Sequence, residues 1–394
     1  MRQHGGPANE TITLDDTGPK GWIEANRIRL ALIGTAFLAA LVSLLASFSA
    51  PDAGAASVCD KTTSSNAQRL VDSLRPGQTG CLRGGVYTEG DKVLLLKDGG
   101  TSDKKRIVVQ NYPGEKATIR AQVKVNPGAD YVTFRSAPGK LHQLVLDGTG
   151  GPVSAKPTNQ GRVNTDASPT ISADHTNWIG LDITKRNREL SSSKLYKTGV
   201  CVLLNDGPAG TVMKKNRIHG CGVKQGQHDE SFIPNFFGPG KDLDNRRSGS
   251  PDNHGMYISD VSGSTIIRDN LIYDNGERGV QLYPRAKGVI VEGNVMARNS
   301  ENLIMNEDSS QNTVRNNVFS NPNDWNVNLG PKLSGSGNRV SNNCFWAPGG
   351  KSKFNKGGRN TSVLGNVTAN PRYKKGFKVT NRTCLKKYSG TLAR

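Results

Sequence analysis

Ile267-Arg268-Asp269-Asn270-Leu271-Ile272 is followed at nearly constant intervals by Val291-Glu292-Gly293-Asn294-Val295-Met296 and Val314-Arg315-Asn316-Asn317-Val318-Phe319. The pattern continues through Val340, Asn343 and Cys344-Phe345, and through Val363, Asn366 and Val367-Thr368. The five Asn residues are spaced by 24, 23, 26 and 23 positions, and each has an aliphatic residue three places before it. A period in this range marks a repeat array in which each unit buries its apolar face against its neighbours. Short β-branched runs joined by Asn and Gly turns, with no helical periodicity between them, specify a parallel β-helix. The Asn column belongs at a turn, where a side-chain amide can bond the backbone of the adjacent coil.

Working backward, Met213 and Asn216-Arg217-Ile218 repeat the form 54 residues before Asn270. That distance exceeds one period by about 30 residues, so the coil carries an insertion of that length. The insertion is Val223 to Asp252, rich in Gly, Pro, Asp, Asn and Arg and without periodicity. The apolar runs Arg106–Gln110, Tyr131–Phe134, Leu144–Leu146, Trp178–Ile183 and Val200–Leu204 read as earlier, less regular coils. The expected fold is therefore all-β, a right-handed parallel β-helix over residues 56–390 with one long loop at 223–252.

Residues 1–29 are polar and precede Leu30–Ala50, 21 residues without a charge, followed by Ala53-Gly54-Ala55. A run of that length can span a bilayer, and the small residues resemble a signal-peptidase site. Segment 30–55 is thus a cleaved signal or a membrane anchor, and either one exports the rest, as a secreted protein or on the outer face of the membrane. Six cysteines suit an oxidising compartment. Proximity in sequence pairs Cys59 with Cys81 and Cys344 with Cys384 as staples of the two ends, and leaves Cys201 with Cys221.

The chain carries a net charge of +19. The exported part is about +20, from 48 basic and 28 acidic residues. A basic extracellular surface suits an acidic polymer, such as a uronate polysaccharide or a wall polymer. No CxxC pair, HExxH motif or Gly-rich phosphate loop in a βαβ setting is present, so zinc and nucleotide chemistry are not indicated.

Alignment on the Asn column lays Asp252 to Ser259 over Gly276 to Tyr283, and both over Ser300 to Glu307. If Met256, Val280 and Ile304 face the core, then Tyr257, Gln281 and Met305 face outward, because strand side chains alternate. His254, Arg278 and Asn302 fall at the turn before the strand. His254, Tyr257, Arg278 and Tyr283 are the candidate catalytic residues. Asp252, Glu277, Gln281, Glu301 and Glu307 are candidate substrate-binding residues. His or Tyr can exchange a proton, Arg can pair with a uronate carboxylate, and the carboxylates could protonate a glycosidic oxygen or hold a cation such as Ca²⁺. The insertion feeds directly into His254 and is expected to cover the site. Arg268, Glu292 and Arg315, each two residues before its Asn, read as an ion ladder of the scaffold.

On Asn253-His254-Gly255-Met256-Tyr257-Ile258, Asn270 to Pro284, and the opening Pro76-Gly77-Gln78-Thr79-Gly80-Cys81-Leu82-Arg83-Gly84-Gly85-Val86-Tyr87, residues 58–388 resemble the secreted bacterial β-helix proteins of the pectin-lyase-like superfamily. They look most like the group with short periplasmic-copper-type and alginate-epimerase-type repeats. The resemblance implies lyase, hydrolase or epimerase activity on acidic polysaccharides. The site motifs diverge: there is no calcium-binding Asp cluster, no RxPxxR, no Asp-Pro-His, and Asn164-Thr165-Asp166 lacks the Asp pair that follows in polygalacturonases. In a lyase or epimerase scheme Arg278 neutralises the carboxylate, His254 is the base, and Tyr257 or Tyr283 the acid. A hydrolase would draw on Glu277, Glu301 and Glu307, and an adhesin or wall-binding scaffold would need none of them.

Overall fold

In the computed structural model, the described residues are 59–152, 162–164, 167–186, 189–190, 195–222, 254–357 and 360–391. Leu30–Ala50, Asp252 and the 223–252 insertion lie outside them. Among the described residues, no helix is long and apolar enough to cross a membrane.

The chain winds through three long sheets in turn, every ladder of which is parallel. Sheet A has 11 strands, from Lys61–Thr63 to Thr361–Leu364. Sheet B has 10, from Gly85–Tyr87 to Val367–Thr368. Sheet C has 9, from Val93–Leu96 to Phe354–Lys356. Each coil contributes one short strand to each sheet, so the sequence neighbour of a strand lies in another sheet and its pairing partner lies one coil away. A small sheet formed by Arg162–Asn164, Glu189–Leu190 and Leu195–Thr198 stands apart from the three. The helix Ala67–Ser73 closes the first coil, capped by the Asn66 side chain on the Arg69 amide, and buries Ala67, Leu70 and Val71.

The interior is filled by the columns that the periodicity marks. Ile267, Val291, Val314 and Val340 stack through sheet A, while Ile272, Met296, Phe319 and Phe345 stack through sheet B. The Asn column runs between these two sheets and is buried. Asn270 Nδ2 donates to Asn294 Oδ1 at 2.9 Å and to the Met213 carbonyl at 2.9 Å, and the Asn270 amide donates to the same Asn294 oxygen. Asn294, Asn317 and Asn343 repeat this with the carbonyls of Ile267, Val291 and Val314. Each amide thus satisfies a backbone donor and a backbone acceptor that a turn leaves without strand partners.

The residue before each Asn sits in the left-handed region: Lys215, Asp269, Gly293, Asn316, Asn342 and Gly365 have φ between 55° and 66°. That conformation selects Gly, Asn and Asp, with Lys215 the exception. Two further Asn ladders had no place in the sequence reading, one through Asn275 and Asn299 and one through Asn312 and Asn338.

The three disulfides are Cys59–Cys81, Cys201–Cys221 and Cys344–Cys384, the pairs that sequence proximity selects. Beyond Cys384 the C-terminal segment turns back across the coils. Lys387 O accepts from Asn316 Nδ2 at 2.8 Å, Ser389 N donates to Asn316 O, and Thr391 N donates to Asp269 Oδ1 at 3.2 Å. Gly390 packs against Gly293, with no room for a side chain between the two backbones. The expected ion ladder is present, with Glu292 between Arg268 at 2.8 Å and Arg315 at 2.7 Å.

Candidate functional site

The candidate residues lie on sheet C, on the strands β1 (Met256–Ile258), β2 (Arg278–Leu282) and β3 (Glu301–Met305). β1 and β2 pair as the repeat predicts, Met256 with Val280 and Tyr257 with Gln281. The third layer is displaced by one residue from the alignment on Asn. Arg278 pairs with Glu301, Val280 with Leu303, Gln281 with Ile304 and Leu282 with Met305. Met305 therefore enters the core, wholly buried, and Ile304 takes the outward position expected of Met305. The cause is the turn. Asn275 and Asn299 stack as equivalents, but two residues separate Asn275 from Arg278 and only one separates Asn299 from Glu301. Asn299 Nδ2 closes the shorter turn on Asn302 Oδ1 at 2.8 Å. A one-residue slip exchanges the faces of a strand. It puts Glu301, not Asn302, beside Arg278, and turns Asn302 inward onto Asn326.

The resulting cluster is densely bonded and buried, where the sequence suggested a surface patch. Arg278, 1% exposed, donates from Nε to Glu301 Oε2 at 3.0 Å and from Nη1 to the Tyr283 hydroxyl at 3.2 Å and to Gln281 Oε1. Its Nη2 lies 3.6 Å from Glu277. Glu301, also 1% exposed, accepts from Asn328 Nδ2, and Asn328 in turn accepts from Asn355 at 2.8 Å. Asn328, which the sequence reading did not single out, thus extends the cluster by a coil. Its only signal was its place on the outward face one repeat after Ile304.

His254 is 0% exposed, and among the described residues neither ring nitrogen has a hydrogen-bond partner. Glu277 Oε2 approaches Nδ1 to 3.4 Å without hydrogen-bonding it. Burial, and after it the charge of Arg278, holds the imidazole pKa well below its usual value, so the ring is neutral at pH 7. The Tyr257 ring lies 5.9 Å from the His254 ring, and Tyr283 meets Tyr257 edge-on at 6.3 Å. Burial, with Tyr283 and Glu307 adding to it, pushes the Tyr257 phenol up to about 12 against the opposing pull of Gln281 and Arg278. Tyr257 therefore keeps its proton throughout the physiological range.

The structure thus brings together His254, Tyr257, Glu277, Arg278, Gln281, Tyr283 and Glu301. Glu307 lies beyond the end of β3 in a left-handed turn, close enough to act on Tyr257 through its charge. Among the described residues, no group of three or more His, Cys, Asp or Glu side chains is arranged to hold a metal ion. His219 lies outside the cluster, on sheet B, bonded to Asp182 at 2.8 Å and stacked on Tyr273 at 5.0 Å.

Residues 180–368 match the family model of the right-handed β-helix region. Among solved structures, the pectate lyase Pel9A is similar at 11% identity, over 79% of this chain and 78% of its own, with a TM-score of 0.45. The A-module of the Azotobacter vinelandii mannuronan C-5 epimerase AlgE4 is similar at 13% identity, over 76% of this chain and 90% of its own, with a TM-score of 0.40. No curated protein is significantly similar to the chain in sequence.

Proposed function

We propose that this right-handed parallel β-helix belongs to the pectin-lyase-like superfamily and is an exported enzyme acting on a uronate-type polysaccharide by lyase or epimerase chemistry at the His254 cluster. The observation that supports this reading most directly is His254 itself. A fully buried side chain with two unbonded polar atoms is rare in a scaffold and demands another account. A neutral imidazole beside a protonated phenol is the complement that proton abstraction from carbon needs.

In this reading a uronate ring meets His254, Tyr257 and Tyr283, with its carboxylate drawn toward the Arg278 charge. Neutralisation of the carboxylate acidifies the C5 proton, which passes to a His254 nitrogen. In a lyase the freed electron pair forms the C4–C5 double bond, the C4–O bond breaks, and Tyr257 gives its proton to the leaving oxygen. In an epimerase no bond to oxygen breaks, and a phenol returns a proton to C5 from the opposite face. Glu277 and Glu301 then hold and orient Arg278, and Gln281 positions both Arg278 and Tyr257.

Export rests on the uncharged Leu30–Ala50 run and the three disulfides. The charge of the exported part supports an acidic polymer as partner.

The test is incubation with a panel of uronate polymers, with and without added Ca²⁺. Lyase activity appears as ultraviolet absorbance of the unsaturated product, and epimerase activity as exchange of the C5 hydrogen with deuterium from solvent. His254→Ala and Tyr257→Phe are each expected to lower turnover by about 10²-fold or more, with the thermal midpoint nearly unmoved in Tyr257→Phe. Turnover unchanged in both variants would remove the chemistry from this cluster. Binding of polymer without turnover in the wild type would leave an adhesin.

A further inference from the structure

Sheet C continues past the cluster through β4 (Val327–Leu329) and β5 (Phe354–Lys356). The turn positions that enter these strands follow the same column as His254, Arg278 and Glu301. Trp325 pairs with Glu301, and its carbonyl accepts from the Asn302 amide at 2.9 Å. In the next coil the Lys353 carbonyl accepts from the Asn326 amide at 2.8 Å. At about 4.8 Å per coil, Trp325 lies roughly 10 Å from Arg278 along the solenoid axis and Lys353 about 14 Å.

A pocket of about 500 Å³ opens there, lined by Asp324, Trp325, Lys351, Ser352, Lys353 and Phe354. Its walls differ from those of the buried cluster. Trp325 and Phe354 are partly exposed, and Phe354 is braced from behind by Phe345 at 5.6 Å. Lys351 is exposed and makes no ion pair among the described residues. Lys353 is tied by its ammonium to the carbonyls of Pro322 and Asn323, and Asp324 accepts from Ser300 at 3.1 Å.

We infer that this pocket is a binding subsite for an anionic sugar unit of the same polymer, two to three coils from the reacting ring. The inference rests on the proposed reading of the His254 cluster, which fixes where the reacting ring lies. An indole and a phenyl ring offer the apolar faces on which a pyranose stacks. Lys351 supplies an unpaired cation for a carboxylate, and Asp324 and Ser352 offer hydrogen bonds to hydroxyls. Pocket and cluster share one sheet and one register, so a chain laid along the axis reaches both. The reach implies that short substrates, unable to span from Arg278 to Trp325, lose the contribution of the pocket.

The experiment titrates the full exported chain with a uronate oligosaccharide series of increasing length, read by tryptophan fluorescence and by Kd from calorimetry. Long oligomers are expected to perturb Trp325 emission. Trp325→Ala is expected to weaken their binding at least tenfold while leaving the shortest binder unchanged. Trp325→Phe should restore part of the loss, and Lys351→Glu, on an exposed side chain, should weaken long oligomers about as much without touching the fold. Equal affinity of the wild type, Trp325→Ala and Lys351→Glu for every length overturns the subsite, whatever the turnover. Loss of turnover in His254→Ala together with that result would leave the cluster standing without the pocket. An absence of binding to any uronate length in the wild type overturns both.

Discussion

His254 is the residue on which the chemical argument turns, and its environment makes a prediction separate from activity. Its folded-state pKa is depressed by burial and by Arg278, while in the unfolded chain it returns to its ordinary value near 6.5. Below pH 6.5 the unfolded chain therefore binds a proton that the folded chain refuses. Stability is complete above that pH and declines as pH falls from 6.5 toward the folded-state pKa. His254→Gln should flatten this part of the pH profile of the denaturation midpoint. A profile identical to the wild type would show that the imidazole is not held neutral. The Asn column gives a second residue-scale expectation. Asn294→Ala removes the donor to Asn317 Oδ1 and to the Ile267 carbonyl, and the acceptor of the Asn270 amide, all of them buried. Denaturant unfolding should show a loss of about 1–3 kcal/mol.

At the scale of elements, the turn before β2 governs the cluster. Gly255 and Gly279 follow His254 and Arg278 and stack in one column. A Cβ on Gly279 would stand 2.5 Å from the Asn302 carbonyl and 2.8 Å from the Asn299 amide, and one on Gly255 would stand 2.7 Å from the Gly279 carbonyl. Neither collision is with a flexible side chain free to yield, since Asn299 is held in a ladder. Gly279→Ala should cost about 1–3 kcal/mol, measured by chemical denaturation, and shift the Arg278 backbone. A thermal midpoint equal to the wild type would mean that the coils separate here without penalty.

These elements also show what the sequence could convey. The Asn column, the aliphatic column three residues before it, the strand positions and the pairing of β1 with β2 were all legible, because each repeats at a fixed offset. The register of β3 was not. A 24-residue and a 23-residue coil look alike in a list of Asn positions, and nothing local says in which turn the missing residue falls. Only the stacking of Asn275 on Asn299 locates it. The same limit hid the burial of the cluster, since Arg278 and Glu301 are residue types that sequence reasoning assigns to solvent. Their mutual bond at 3.0 Å is what lets both be enclosed.

For the whole molecule, the charge of about +20 over residues 56–394 bears, on the proposed function, on how a polymer is met rather than on how it is processed. Dispersed cations attract a polyanion over a Debye length of about 8–10 Å near physiological ionic strength. Affinity for a long uronate chain should therefore fall steeply between low and high salt. Turnover of substrate already bound should change little, because the cluster is shielded from ions by burial. A salt-independent Kd would place recognition in the pockets alone.

The C-terminal segment that lies across Asn316, Gly293 and Asp269 has a mechanical consequence. The last described residues sit beside a turn several coils inside the solenoid, not at its end. A force applied at the C-terminus would pull this segment off bond by bond, like tape from a surface, and not shear the coils against one another. Peeling would release residues 385–391, roughly 24 Å of extended chain, and then halt at the Cys344–Cys384 link, which carries the load into a strand of sheet B. Under reducing conditions that stop is gone, and the same pull would run on into the final coils. A single-molecule extension trace should accordingly show a short first step whose arrest vanishes with reductant.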